Sequence, residues 1–180
     1  MSQPAIAQLG ATVLSQPAEP VTDIYHGDTR KLIQEMLDTV KQANGVGIAA
    51  PQLFAPWRII VIASSPNPRY PDAPQMEPMV MINPKILWRS DSIEKGWEGC
   101  LSVAKKRGLV PRHTSIEVSW LTEDGHSRHQ KFSGFVARVI QHECDHLDGK
   151  TFIDRIESPD ELIDESEYMA RQATETNPLT

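Results

Sequence analysis

At 180 residues the chain has the length of one domain able to bury a sizeable core. Its net charge of −6, with no long basic run, argues against a dedicated nucleic-acid binder. No apolar run approaches the roughly 20 residues that span a bilayer. The first residues carry neither a signal-peptide nor a transit-peptide pattern, so a cytosolic, enzyme-sized protein is expected. Two cysteines, Cys100 and Cys144, are too few for a disulfide scaffold of this length.

Residues 1–27 are rich in proline and small residues and read as an extended arm anchored by Ile6, Leu9, Val13 and Leu14. A helix is expected from Asp28, capped by Asp28 or Thr29, with Leu32, Ile33, Met36, Leu37 and Val40 as its packing stripe. Gly45-Val46-Gly47-Ile48-Ala49-Ala50-Pro51-Gln52 follows. Its glycines allow close backbone approach, either for a tight turn or for a substrate lying against bare backbone, with the Gln52 amide as a donor.

The β-branched run 58–63 predicts a strand, and the five prolines of Ser64–Pro78 an exposed loop. Met79–Asn83 reads as a strand stopped by Pro84, with Ile86–Trp88 resuming the sheet. In Ser92–Val103, Gly99 permits a sharp turn that aims Cys100 inward. Cys100 is then either a small buried hydrophobe or a ligand. Residues 107–112 suggest a turn leading into a strand, and 116–121 alternate as a half-buried strand. Asp124-Gly125 marks a hairpin returning through the polar edge strand 126–132, where His126 and His129 are expected to be solvated.

A second helix is expected from Ser133, its cap, to Asp148, stopped by Gly149. It carries Gln141-His142-Glu143-Cys144-Asp145-His146, a His-Glu-x-x-His pattern. Residues four apart share a helix face, so His142 and His146 can present two imidazoles to one ion. Glu143 stands beside them as a carboxylate able to take a proton from an activated water. Cys144 lies about 200° from His142 round the helix and should pack away from the ion. Asp145 is open to an outer-shell bond or to solvent, and Asp148 to solvent. Two imidazoles tip Cys100 towards a ligand role, and with no well-spaced fourth ligand an open, catalytic site is favoured over a structural one. Beyond 156, Ser158-Pro159-Asp160-Glu161 is a helix-start pattern in an acidic tail, 157–180, partly helical and then disordered from about Thr174. Residues 1–156 form the single catalytic domain on this reading.

Three stretches together resemble the three motifs of peptide deformylases: Gly45–Gln52, Glu98-Gly99-Cys100-Leu101-Ser102, and Gln141–Leu147. They occur in the family's order and the resemblance covers about residues 6 to 156. It implies an α+β fold, with antiparallel or mixed sheets wrapped around a central metal-binding helix. The implied activity is removal of the formyl group from the N-formylmethionine of nascent polypeptides, at or near the ribosome. The implied metal is Fe2+, for which Zn2+, Ni2+ or Co2+ can substitute. By match to the motifs, Cys100, His142 and His146 would be ligands and Glu143 the general base and acid. Gln52 and the Leu101 N–H would hold the formyl oxygen. Gly47 would pair with the substrate backbone, Gly99 would contact substrate, and Val46, Glu98, Phe135, Arg138 and Val139 would surround the methionine. Glu98 and Arg112 would form a structural ion pair.

The chain departs from the family pattern at Ala104-Lys105-Lys106, where a Pro-Gly-like pair is usual, at Ser15, and in its acidic C-terminus. The alternatives are another His-Glu-x-x-His metallopeptidase and a non-catalytic metal-binding relative.

Overall fold

The computed structural model describes residues 4–175. Among these described residues, eight strands and three α-helices build two antiparallel sheets around one buried helix. The larger sheet has the order β1 (Gly47–Ala49), β2 (Ile59–Ile62), β3 (Met79–Arg89), β6 (Ser115–Leu121), β7 (Ser127–Ser133). The smaller has the order β4 (Ile93–Cys100), β5 (Val103–His113), β8 (Leu162–Asp164). The α+β architecture implied by the resemblance is what the chain adopts.

Helix α1 (Gly27–Gln42) covers one face of the larger sheet and α2 (Gly134–Leu147) the other. β2 explains how both faces are filled. Its four residues, Ile-Ile-Val-Ile, are all buried; Ile59 and Val61 join α1, whereas Ile60 and Ile62 join α2. A strand buried on both sides reads as a continuous apolar run, and each such side chain contributes about 1.5–3 kcal/mol of burial. β6 is one-sided: Ile116, Val118 and Trp120 are buried against the α2 cluster, and the residues between them are only partly covered.

Several local expectations change. Helix α1 starts at Gly27, and its cap is His26, whose Nδ1 accepts from the Asp28 N–H at 3.3 Å, not Asp28 or Thr29. β3 is a single strand that runs through Pro84. It shifts register between Ile82 and Lys85, with Asn83 at φ +50°, and the Asn83 amide replaces the lost ladder by bonding both N–H and C=O of Val21. The stretch 107–112 is strand throughout and contains no turn; it belongs with 92–103 to the long β4–β5 hairpin, closed at Leu101-Ser102 directly after Gly99 and Cys100.

Ser133 occupies the cap position of α2 without capping it; its Oγ pairs with Ser115 Oγ at 2.9 Å. Gly149, at φ +73°, ends the helix as expected. Ser158–Glu161 does not start a helix: Pro159–Glu161 forms one 3-10 turn, and β8 follows at once. Residues 157–175 are therefore built onto the smaller sheet, where β8 pairs with β5 and α3 (Glu165–Glu175) adds a ring contact between Tyr168 and Trp97. Thr174 and Glu175 belong to α3, and the disorder expected of the last residues lies outside the described ones beyond 175.

Candidate active site

The site forms where α2 crosses the end of the β4–β5 hairpin. Helical spacing sets His142 and His146 one turn apart, with ring centroids at 5.2 Å. The hairpin turn delivers Cys100 to the same point, its Sγ 3.3 Å from His146 Nε2. The ligand atoms of these three residues all lie within 4.8 Å of one another, and all three side chains are buried. Among the described residues this is the group of His, Cys, Asp and Glu side chains able to hold a metal ion. Burial opposes ionisation of Cys100, but the imidazoles of His146 and His142 outweigh it and hold the thiol well below its ordinary pKa. The thiolate is the form that ligates metal. His146 Nδ1 is buried without a partner, as is Glu143 Oε2. A donor set of one soft sulfur and two imidazoles, enclosed and incompletely satisfied, fits a divalent transition metal.

Glu98 sets the ring of His142. Its Oε1 lies 2.8 Å from His142 Nδ1 and accepts from Arg112 Nη2 at 2.9 Å, and its Oε2 accepts from Arg112 Nε at 3.0 Å and Arg138 Nη1 at 2.8 Å. Burial would raise this carboxyl's pKa, but the Arg112 guanidinium and the His142 hydrogen bond drive it far below the carboxylate range. A charged acceptor on Nδ1 leaves the other ring nitrogen for the ion. The chain of contacts continues outward: Arg112 Nη1 donates to Asp145 Oδ2 at 2.6 Å, and Arg155 grips both oxygens of Asp145. Asp145 is thus a buried outer partner rather than a solvated acid, whereas Asp148 is exposed beside Arg58. His126 and His129 are solvated as expected.

Glu143 lies against the bare backbone of Gly47. A Cβ on Gly47 would stand 2.6 Å from Glu143 Oε1 and 2.9 Å from Val139 Cγ1. Burial pushes the Glu143 carboxyl up to about 7, with the imidazoles pulling the other way. Gln52 is buried and fixed by its own oxygen, which accepts from the Ala49 N–H at 2.9 Å. Its amide nitrogen consequently points at Ser102 Oγ, 3.1 Å away, with Cys100 Sγ at 3.6 Å. A pocket opens beside these groups, walled by Val46, Gly47, Leu101, Phe135, Val139 and Tyr70.

A match to a family model described as polypeptide deformylase covers residues 4–161. The chain belongs to the polypeptide deformylase family. It is 53% identical over 163 residues to peptide deformylase 2 of a Nostoc species, spanning 91% of each chain. It is 43% identical over 158 residues to peptide deformylase 2 of Shewanella oneidensis, spanning 88% of this chain and 87% of that one. Its fold matches a Met-Ala-Ser-bound crystal structure of a class I type b peptide deformylase from Acinetobacter baumannii. The TM-score is 0.82 at 45% identity, over 84% of this chain and 96% of that one.

Three residues of this deformylase-family site make contacts that the motifs did not specify. Arg138 lines the pocket, and its guanidinium donates to Glu98, the Val110 carbonyl and the Glu94 carbonyl, which ties α2 to the β4–β5 hairpin. The Gly99 N–H is taken by Tyr70 Oη at 3.0 Å. Leu101 lines the pocket, and its carbonyl accepts from Gln8 Nε2 at 3.0 Å.

The last contact exposes a role that the sequence left unread. The Ala7 N–H donates to the Gln52 carbonyl and the Leu9 N–H to the Ser102 carbonyl, each at 2.8 Å, so the N-terminal arm ties two motif segments together. Arg69, Tyr70 and Trp97 also line the pocket. Arg69 and Tyr70 come from the proline-rich stretch expected to be an exposed loop, in which Ser64 and Ala73 are in fact buried. The aromatic residue amid the prolines was the available signal. Among the described residues no helix is long and apolar enough to cross a membrane.

Proposed function

We propose that the protein hydrolyses the formyl group from N-formylmethionyl peptides as they emerge at or near the ribosome in the cytoplasm. The observation that carries this reading is the Cys100–His142–His146 trio next to a buried carboxylate lying against bare backbone at Gly47. The trio would hold a divalent ion, Fe2+ by family resemblance with Zn2+, Ni2+ or Co2+ as substitutes, supplying Lewis-acid activation of the formyl group and of water.

The chain's own residues do the rest. Gly47 offers strand-like backbone to the substrate, and Val46, Phe135 and Val139 give the methionine side chain an apolar wall. The Gln52 amide and the Leu101 N–H donate to the oxygen that gains charge as the formyl carbon becomes tetrahedral. Glu143 takes the proton from the attacking water and returns it to the departing amine. Burial raises this carboxyl in the metal-free protein, and a cation held by the adjacent histidines would favour the ionised form that accepts the proton.

The test is formate release from formyl-Met-Ala-Ser by protein purified without oxygen, beside a casein assay. Rapid formate release with no casein cleavage supports the reading; cleavage of internal peptide bonds refutes it. Elemental analysis of the same preparation identifies the ion.

A further inference from the structure

Arg107 is fully buried, and its Nε and Nη1 have no hydrogen-bond partner among the described residues. Its guanidinium lies between two rings, 5.0 Å from the centroid of Tyr70 and 4.8 Å from that of Tyr168. Stacking engages the faces of the cation but leaves its in-plane donors unmatched. A second guanidinium adjoins it. Arg69 Nη2 and Arg107 Nε come within 2.8 and 3.0 Å of the point where a Gly99 side chain would begin.

One carboxylate serves both cations. Glu165 Oε1 is 3.3 Å from Arg107 Nη2 and 3.8 Å from Arg69 Nε, and the Glu165 side chain is 37% exposed. The neighbouring acid, Asp164, is engaged by Lys106. Two clustered guanidiniums sharing one loosely held anion leave positive charge under-compensated, and buried charge is costly until paired.

The pair stands at a junction. Arg69 lines both the pocket that holds Cys100 and a second groove, whose walls include Lys105, Arg107 and Glu165. Through Arg69 the groove adjoins the part of the pocket wall that Gly99 forms, so it is within reach of a peptide whose first side chain fills the pocket.

We propose that Arg69 and Arg107 form a carboxylate-binding subsite, filled at rest by Glu165, that receives an acidic group of the substrate a few residues after the methionine. This rests on the deformylase reading above and adds a substrate class to it. The incoming carboxylate takes the place of Glu165, which swings into solvent, and gains planar, bidentate pairing with guanidinium. Two sources carry the same chemistry: an acidic side chain downstream in the peptide, or the terminal carboxylate of a short peptide.

Arg107 is too deeply packed for a clean substitution, so Arg69 and Glu165 carry the test. The measurement is kcat/KM for amidated formyl-Met-Ala-Ser-Ala peptides with Glu or Gln at the second, third or fourth position. Formyl-Met-Ala-Ser with a free or amidated end is run alongside. Calorimetry with the unformylated peptides gives the same ratios without turnover. The expected result is a roughly tenfold advantage of Glu over Gln at one position, the size of a charge-assisted hydrogen bond. That ratio falls towards one in Arg69→Gln and rises in Glu165→Gln. An advantage in amidated peptides assigns the carboxylate to a side chain, and one confined to the free-ended peptide assigns it to the chain terminus; either supports the subsite. Ratios near one in all peptides, unchanged by Glu165→Gln while formyl-Met-Ala-Ser is turned over, overturn it. Absence of formate release from every peptide would instead defeat the deformylase reading, and equal calorimetric affinities would then remove the subsite separately.

Discussion

Glu98 Oε1 stands 2.8 Å from His142 Nδ1, and the same carboxylate is held by two guanidiniums, those of Arg112 and Arg138. A residue on β4 thereby fixes the orientation of a ring on α2. The smaller sheet contributes both Cys100 and the group that aims its partner histidine.

Glu98→Gln should weaken metal retention by roughly 10–100-fold, the usual effect of losing a partner behind a ligating histidine. It also leaves Arg112 short of a counter-charge in the interior, which costs on the order of 3–5 kcal/mol. Competition against a chelator and urea unfolding read the two effects separately. Unchanged metal retention would remove Glu98 from the role of aiming His142.

Gly47→Ala places a methyl group 2.6 Å from Glu143 Oε1. The carboxylate must move, and a displacement of about 1 Å in a catalytic group can cost about 10²-fold in rate. Turnover should drop by that order while metal content stays at the wild-type level. A variant with normal kcat would show that Glu143 has more room than the contact implies.

Glu143→Gln should bind metal and lose roughly 10²–10⁴ in turnover, the range for general acid–base catalysis. A proton count gives a second check. In the metal-free protein burial holds the Glu143 carboxyl up to about 7, so at pH 6 it is mostly protonated. A cation bound by the adjacent histidines favours the ionised form, so metal uptake at pH 6 should release one more proton from wild type than from the variant. At pH 8 the carboxylate is already ionised and the difference should vanish. Calorimetry in buffers of different ionisation enthalpy measures the count.

Asp145 is buried, but its hydrogen bonds from Arg155 and the charge of Arg112 bring its pKa below the ordinary value. A carboxyl depressed in the folded state adds stability above its unfolded pKa of about 4, and that stability is lost as pH falls through the folded value. Asp145→Asn should be less stable than wild type at pH 7, by on the order of 3 kcal/mol. The gap should close as the pH falls below 4 and through the depressed value. Urea melts across pH 3–7 test this; a gap independent of pH would assign the loss to packing.

What the sequence disclosed followed the range of the signal. His142, Glu143 and His146 were legible because their relation is set by one helical turn. Gly47 and Gly99 were legible because glycine marks close approach. The β4–β5 hairpin was not, since Glu94, Lys95, Glu98, Lys105 and Lys106 break the apolar alternation that identifies a strand. Arg138 was placed near the pocket, but the destination of a long guanidinium side chain depends on Glu98, Val110 and Glu94, which its own neighbours in sequence do not specify. Tyr70 and Arg69 were hidden by the prolines around them, and the strand β8 by being three residues long.

The N-terminal arm has a consequence for the order of assembly. Gln8 bonds to a residue 93 positions later, and Ala7 and Leu9 bond to the carbonyls of Gln52 and Ser102. Gln52 follows β1 of the larger sheet, whereas Leu101 and Ser102 close a hairpin of the smaller one, and contacts of such separation close late. Residues 7–9 are therefore among the last to settle. On refolding from denaturant, hydrolytic competence should lag behind the return of the helical circular-dichroism signal.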